Sequence, residues 1–206
     1  MRIGIIGPNG VGKSTLSEKL SEYYESPLVE EPVVANPYLP YFYADKLTFS
    51  FPAQMAFYSA LFLEMWKAKD KPLCIYDSTL LSNLVYTELL LLEGFMTEKE
   101  KNITYDVAEA YMSRLPKLDI TIILQRPKDQ LFKNVERRGR EIEKDQRDYL
   151  NFHYDHHDAV MNKIITHFNI PSKHILYLTL GDMFEEKEFK RILRLIENAY
   201  ARSQED

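Results

Sequence analysis

Residues 7–14 read Gly-Pro-Asn-Gly-Val-Gly-Lys-Ser, the G-x-x-x-x-G-K-S spacing of a phosphate-binding loop. A segment that predicts a strand comes directly before the loop, and a segment that predicts a helix comes directly after it. In that context backbone N–H groups face phosphate oxygens, Lys13 bridges the β- and γ-phosphates, and Ser14 reaches magnesium. We therefore predict that ATP or a related triphosphate binds through Gly7, Asn9, Gly10, Val11, Gly12, Lys13, Ser14 and Thr15.

A second metal ligand is predicted at the end of a later strand. The apolar run 73–76 is followed by Asp77, whose carboxylate could bind Mg²⁺ directly or through water. Asp77 could also be the N-cap of the helix that follows, and both roles fit because the metal site lies where strands end and helices begin. We expect Ser14 and Asp77 to hold the metal.

A carboxylate that could act as a base follows the second predicted strand, in Glu30-Glu31-Pro32. Parallel strands end at one edge of a sheet, so this carboxylate would lie near the phosphate loop. There it could accept the proton of a substrate hydroxyl while that oxygen attacks the γ-phosphate. On spacing alone, a solvated surface carboxylate is an equal alternative.

The segment 38–58 is rich in aromatic residues and includes one glutamine, Gln54, on a predicted helix. Aromatic rings stack on a nucleobase, and an amide offers a donor and an acceptor to its edge. The alternative is ordinary core packing with a surface glutamine. The aromatic residues are Tyr38, Tyr41, Phe42, Tyr43, Phe49, Phe51, Phe57 and Tyr58.

A basic cluster, Arg137-Arg138-Gly139-Arg140, comes at the end of a predicted helix. With the charged run 141–148 it predicts a lid over about 137–148 that closes on ATP and neutralises its charge. The alternative is a solvated helix end, where arginines favour the helix dipole. His153, His156 and His157 have helical spacing, and we expect them on a partly exposed helix face rather than in a metal site.

The elements that position these residues alternate between strands and helices, which predicts a parallel sheet with helices on both faces. The predicted strands are 2–6, 27–30, 73–76, 118–124 and 174–178, and the predicted helices are 13–25, 48–69, 79–93, 97–114, 127–138, 145–168 and 184–201. Segment 79–93 is apolar nearly all round, which indicates a central core helix or a subunit interface.

The length of 206 residues suggests one domain over 1–206. No apolar run approaches the roughly 20 residues of a membrane span, and the first ten residues carry no signal-peptide pattern. A single cysteine excludes an internal disulfide, so a cytoplasmic protein is the default expectation. The net charge of −5 argues against a general nucleic-acid partner.

In their order and spacing these motifs resemble the deoxyribonucleoside kinase family, in particular its bacterial deoxyguanosine and deoxyadenosine kinase branch. The resemblance runs over most of the chain. Besides the phosphate loop, the matching segments are Glu31-Pro32-Val33, Asn36-Pro37-Tyr38-Leu39 through Phe42-Tyr43, Phe51-Pro52-Ala53-Gln54, Arg138-Gly139-Arg140 with Glu143, and Tyr149-Leu150 with His153-Tyr154.

The resemblance implies an α/β P-loop kinase fold, a five-stranded parallel sheet with a short lid, in a homodimer built through a helical bundle. It also implies ATP-dependent phosphorylation of a deoxynucleoside 5′-hydroxyl. It implies that Glu31 is the general base and that Lys13, Arg138 and Arg140 bind the phosphates. On the substrate side it implies that Tyr43 and Glu143 bind the sugar 3′-hydroxyl. The remaining substrate-binding residues, which include those that read the nucleobase, are Gln54, Asp77 and Asn83.

One position departs from the family pattern. The family reads Asp/Glu-Arg-Ser after the third strand, whereas this chain reads Asp77-Ser78-Thr79, and Asn83 replaces an aspartate that usually helps to read the base. Losing a cation at a phosphoryl-transfer site can cost several powers of ten in rate. Either Arg126 or Arg137 substitutes for it, or catalysis is weak.

The leading hypothesis is a kinase for a purine deoxynucleoside, deoxyguanosine or deoxyadenosine. The absence of an Asn-Lys-x-Asp tetrapeptide weakens a GTPase interpretation. A weakly active nucleotide-binding regulatory or partner subunit is the main alternative, and Ser78 motivates it. A kinase for a small molecule other than a nucleoside is a third possibility, which the aromatic segment around Gln54 disfavours.

Overall fold

The computed structural model describes residues 1–140 and 146–205. Five strands form one sheet: β1 (Arg2–Ile6), β2 (Leu28–Val29), β3 (Cys74–Tyr76), β4 (Ile120–Gln125) and β5 (Ile175–Thr179). The helices are α1 (Lys13–Tyr23), α2 (Leu39–Ala44), α3 (Lys46–Lys67), α4 (Leu80–Leu92), α5 (Glu98–Met112), α6 (Lys128–Arg138), α7 (Arg147–His167) and α8 (Glu186–Ser203), with a 3₁₀ turn at Ser172–His174.

The sheet has the order β2-β3-β1-β4-β5, and all of its pairings are parallel. The strands β1, β3 and β4 are apolar and buried along nearly their whole length, as expected for the centre of a sheet covered on two sides, whereas the edge strand β5 alternates between buried and exposed residues. One face packs Ile6, Tyr76 and Ile123 against helices α3, α4, α5 and α7. The other face packs Ile5 and Ile122 against α1, α6 and α8. The predicted α/β fold with a five-stranded parallel sheet is therefore confirmed.

The predicted elements all exist, and their ends differ from the structure by a few residues. The second predicted strand, 27–30, is reduced to Leu28–Val29. Helix α2 was not predicted, because its aromatic residues and Pro40 read as part of a loop. None of the described helices is long and apolar enough to cross a lipid bilayer.

Helix α4 is a core helix. Ten of its 13 residues are buried, and it packs against α3, α5 and α7 of the same chain. Its buried carboxylate, Glu88, accepts hydrogen bonds from the Tyr105 hydroxyl and the Lys163 ammonium. Of the two interpretations of segment 79–93, core helix and subunit interface, the structure therefore favours the first, since this chain itself covers most of the apolar surface.

The loop between β1 and α1 depends on glycines at two positions. Gly10 has φ of 79° and Gly12 has φ of 108°, a backbone region that residues with a side chain rarely adopt. A Cβ atom on Gly10 would lie 2.5 Å from the carbonyl oxygen of Leu131 in α6. The Asn134 amide of the same helix donates to the Gly10 carbonyl oxygen at 2.8 Å. Helix α6 therefore packs directly against the loop at Gly10.

Replacing Gly10 with alanine tests this close approach. Gly94 has the same φ of 79°, but no atom lies within 4 Å of a Cβ placed there. We expect Gly94→Ala to lower the free energy of unfolding by about 1–2 kcal/mol through backbone strain alone. We expect Gly10→Ala to lower the free energy of unfolding by about 1–3 kcal/mol more than Gly94→Ala does, because the added Cβ forces the loop and α6 apart. Urea unfolding measures both, and equal losses would contradict the predicted contact.

Candidate functional site

The side chains at the start of α1 and the end of β3 meet at the carboxyl edge of the sheet. The Ser14 hydroxyl donates to Asp77 Oδ2 at 2.8 Å. Asp77 is only 5% exposed, and its second oxygen, Oδ1, is buried without a hydrogen-bond partner. The alternative role of Asp77 as an N-cap is wrong, since Thr79 occupies that position in α4.

This pair fits a magnesium ion that also binds phosphate oxygens. A buried carboxylate oxygen without a partner and a neighbouring hydroxyl are oxygen ligands of the kind that Mg²⁺ takes. Among the described residues, no cluster of three or more acidic, histidine or cysteine side chains could hold a metal ion by itself. Any magnesium at Ser14 and Asp77 would therefore need ligands from water or a bound nucleotide.

Glu31 lies near charged groups of the phosphate loop and of the predicted lid. Burial raises the pKa of the Glu31 carboxyl, the Lys13 ammonium opposes that shift, and the negative charge of Asp77 adds to it. The charges of Arg140 and Arg138 lower the pKa of Glu31, so both guanidiniums lie near this carboxylate. The alternative of a solvated surface carboxylate is therefore wrong, and Glu31 faces the site.

Lys13 is held over the loop from which it extends. Its ammonium donates to the carbonyl oxygen of Gly7 at 2.9 Å and to that of Pro8 at 3.4 Å. The ammonium therefore lies above the curled backbone, where phosphate oxygens bind in a loop of this type.

A cavity beside the phosphate loop brings together residues from five separate parts of the chain. Its aromatic wall includes Phe42 and Tyr43 of α2 and Phe57 of α3. The other lining residues are Asn9, Glu31, Val33, Leu39, Ala53, Gln54, Asn83, Tyr86, Arg140 and Tyr149. Of the predicted aromatic set, Tyr58 belongs to the core, and Tyr38 and Tyr41 are exposed.

Two amide side chains face this cavity with unsatisfied polar atoms. Gln54 is 7% exposed and Asn83 is 4% exposed. Within the described part of the chain, neither Gln54 Oε1 nor Asn83 Nδ2 has a hydrogen-bond partner. The alternative of a surface glutamine at position 54 is therefore wrong. Buried polar atoms are normally hydrogen-bonded, so this acceptor and this donor fit a polar ligand between aromatic rings.

Arg126, one of the two predicted substitutes for the missing arginine, lies beside the phosphate loop, with its Nη2 3.9 Å from a Cβ atom placed on Gly12. Arg126 donates to the carbonyl oxygen of Gly181 at 3.3 Å. Burial lowers the pKa of Arg126, and the positive charge of Arg137 lowers it further, so these two guanidiniums are neighbours. Arg138 and Arg140, by contrast, act electrostatically on Glu31.

The prediction that His153, His156 and His157 lie on a partly exposed helix face is wrong for two of the three. His153 and His157 are each 3% exposed, because this face of α7 packs into the core. His153 Nε2 lies 2.8 Å from Glu93 Oε2, and His157 Nδ1 lies 3.6 Å from Asp158 Oδ1. Glu143 lies outside the described residues, as do the other residues of 141–145 within the predicted lid 137–148.

Sequence reasoning missed two residues that contact the phosphate loop. Asn134 supports Gly10, and the Tyr86 hydroxyl of α4 donates to Asn9 Oδ1 at 2.8 Å. Tyr86 carried only a weak signal in the sequence, since it is one of seven residues with polar side chains in segment 79–93. Asn134 carried none, because an asparagine in an amphipathic helix usually faces solvent.

Comparison with known proteins agrees with this geometry. A family model described as deoxynucleoside kinase matches residues 3–200. Deoxyguanosine kinase from Bacillus subtilis is 31% identical over 147 residues, which cover 69% of this chain and 69% of that enzyme. Deoxyguanosine kinase from Lactobacillus acidophilus is 27% identical over 68% of this chain, and the match spans 64% of that enzyme, slightly under two thirds.

Solved structures show the same fold. A structure of deoxyadenosine kinase from M. mycoides with bound dATP has a TM-score of 0.78 at 22% identity, covering 96% of this chain and 99% of that one. The same enzyme with bound dCTP gives a TM-score of 0.76. The family match extends over nearly all of the chain. The chain therefore belongs to the deoxynucleoside kinase family, whose members are phosphoryl-transferring enzymes.

Proposed function

We propose that this protein transfers the γ-phosphoryl group of ATP to the 5′-hydroxyl of a purine deoxynucleoside, as in nucleotide salvage. The proposal rests on one observation. The phosphate loop, Glu31 and the cavity that is lined by aromatic rings and by the amides of Gln54 and Asn83 meet at a single edge of the sheet. A phosphate donor and a base-bearing acceptor can therefore bind on opposite sides of one carboxylate. The cytoplasmic location, the lid over 137–148 and the single domain belong to the same proposal.

The phosphate loop would bind ATP, with Lys13 on the β- and γ-phosphates. Ser14 and Asp77 would hold Mg²⁺, which when bound draws negative charge from the phosphates. Arg138 and Arg140 would stabilise the charge that develops in transfer, since both guanidiniums already act on Glu31. Transfer is then in line, and the protein contributes mainly position and electrostatics.

Glu31 would be the general base, removing the proton from the 5′-hydroxyl as that oxygen attacks. A base with a raised pKa accepts a proton more readily at neutral pH than an ordinary carboxylate does. Tyr43, which lines the cavity, would contact the sugar 3′-hydroxyl together with Glu143.

Gln54 and Asn83 would read the base. Gln54 Oε1 needs a donor and Asn83 Nδ2 needs an acceptor, and purines offer both on their edges. Similarity to deoxyguanosine and deoxyadenosine kinases supports a purine. The alternative, a weakly active partner subunit, is favoured only by Ser78, which is fully buried and whose hydroxyl has no partner.

We also propose a homodimer, formed through α3 and α5 rather than α4. Leu63 and Trp66 of α3 are 50% and 41% exposed, and Ile103 of α5 is 37% exposed. Phe62 of α3 stacks on Tyr111 of α5 at 4.2 Å between ring centroids, so the two helices form one continuous surface. An exposed apolar surface of this kind is typical of a protein interface.

The first prediction concerns activity. With ATP and Mg²⁺, we expect the purified protein to convert deoxyguanosine or deoxyadenosine into its 5′-monophosphate, and to use deoxycytidine and thymidine less efficiently. Comparing kcat/KM for the four deoxynucleosides tests this. Folded protein that binds ATP but forms no monophosphate would favour the partner-subunit alternative, whereas preference for a pyrimidine would contradict only the assignment of the base.

The second prediction concerns Glu31. Glu31→Gln keeps the shape of the side chain but cannot accept the proton, so we expect kcat to fall by about 10²–10⁴. Because the pKa of Glu31 is raised, wild-type kcat/KM should decline with falling pH already above the usual range of a carboxylate. The exposed neighbour provides the control, and Glu30→Gln should stay within about twofold of wild type. Equal activity of the two variants would refute the base assignment.

The third prediction concerns the dimer. Leu63→Glu places a charge on the proposed surface of α3, and we expect it to shift the protein from dimer to monomer in light scattering. Leu47→Glu, at a 71% exposed position near the start of α3, is the matched control and should leave the dimer intact. A monomeric wild type would rule out the proposed interface.

A further inference from the structure

The middle of helix α4 contacts the phosphate loop through one side chain. The Tyr86 hydroxyl donates to Asn9 Oδ1 at 2.8 Å, and both residues line the cavity that contains Glu31. Burial raises the pKa of Tyr86, and the negative charge of Glu31 raises it further. The hydroxyl therefore keeps its proton and is available as a donor to Asn9.

This bond determines which way the Asn9 amide points. A side-chain amide has one acceptor oxygen and one donor NH₂ group on opposite sides. With Oδ1 bound to Tyr86, the Nδ2 donors are directed away from α4. Since Asn9 lies within the phosphate loop and lines the cavity with Glu31 and Arg140, these donors are available at the side where phosphate and acceptor would meet.

Tyr86 is itself held by helix α7. Its ring lies 5.7 Å from the His153 ring, which lies 4.1 Å from the ring of Tyr149. His153 Nε2 is 2.8 Å from Glu93 Oε2, and burial lowers the pKa of His153, which favours the neutral imidazole. The tyrosine is thus fixed on one side by packing and on the other by its hydrogen bond.

We infer that Tyr86 is a positioning residue, which orients Asn9 so that its Nδ2 donates to an oxygen of the phosphoryl group during transfer. This inference rests on the proposed kinase function. The inference also bears on position 78, where this chain has a serine instead of the arginine of the family pattern. The oriented Asn9 amide would supply a neutral hydrogen-bond donor to the same site from the side of the phosphate loop. Donors fixed in advance stabilise developing charge better than mobile ones.

The experiment combines Tyr86→Phe with Asn9→Ala. Tyr86→Phe keeps the ring and its contact with His153 but removes the hydrogen bond. We expect kcat to fall about tenfold, with KM for ATP and for the deoxynucleoside within about threefold of wild type. Asn9→Ala should lower kcat by about 10², the usual loss for one such donor. The double variant should be no slower than Asn9→Ala, because Tyr86 acts through Asn9.

Tyr58→Phe is the matched control. Tyr58 is fully buried, and its hydroxyl lies 3.2 Å from the hydroxyl of Thr87, the residue next to Tyr86. The Tyr58→Phe substitution removes a buried hydroxyl contact to α4, the helix that carries Tyr86, and does not change the lining of the cavity. We therefore expect kcat to be unchanged even if thermal stability falls.

Three results would overturn the inference: Tyr86→Phe with wild-type kcat, an increase in KM without a loss of kcat, or losses that multiply in the double variant. A wild-type protein without turnover would instead refute the proposed function itself.

Discussion

The register of the parallel sheet is the constraint on which the site depends. Gly4 of β1 pairs with Tyr76 of β3, and Val29 of β2 pairs with the same Tyr76. The three strands therefore end side by side, and the phosphate loop, Glu31 and Asp77 emerge at one edge. A slip of one residue would turn every side chain of a strand to the other face. Such a slip would separate Asp77 from Ser14 and break the bond between them.

The edge also concentrates opposing charges. The negative charge of Asp77 raises the pKa of Glu31, while Lys13, Arg138 at the end of α6 and Arg140 just after it lower that pKa. Neither sign dominates, although the chain as a whole is acidic. This balance suits the proposed function, because excess positive charge would lower the pKa of the base and weaken it as a proton acceptor, and excess negative charge would repel the phosphates.

Much of this architecture could be predicted from local patterns. The strand β1, the glycine loop and α1 follow from residue order alone, and the strand-end positions of Glu31 and Asp77 follow from the parallel sheet. The burial of Gln54, His153 and His157 could not be predicted, because it depends on which face of α3 or α7 packs against other elements. The bond between Tyr86 and Asn9 spans 77 positions of the chain, and no local pattern encodes such a contact. Helix α2 was missed for the opposite reason, since its local pattern argued against a helix.

Unsatisfied polar atoms at this edge connect the stability of the protein with its specificity. Gln54 Oε1, Asp77 Oδ1, Ser78 Oγ and Asn83 Nδ2 are all buried without a partner. Each such atom costs about 1–3 kcal/mol when it stays unpaired, and burial of the apolar clusters on both faces of the sheet offsets that cost. A ligand that satisfies these atoms recovers that free energy, whereas one with the wrong donor or acceptor does not. In the proposed function, discrimination between bases rests on two neutral amides, so we expect it to depend little on ionic strength, in contrast to the binding of the phosphates.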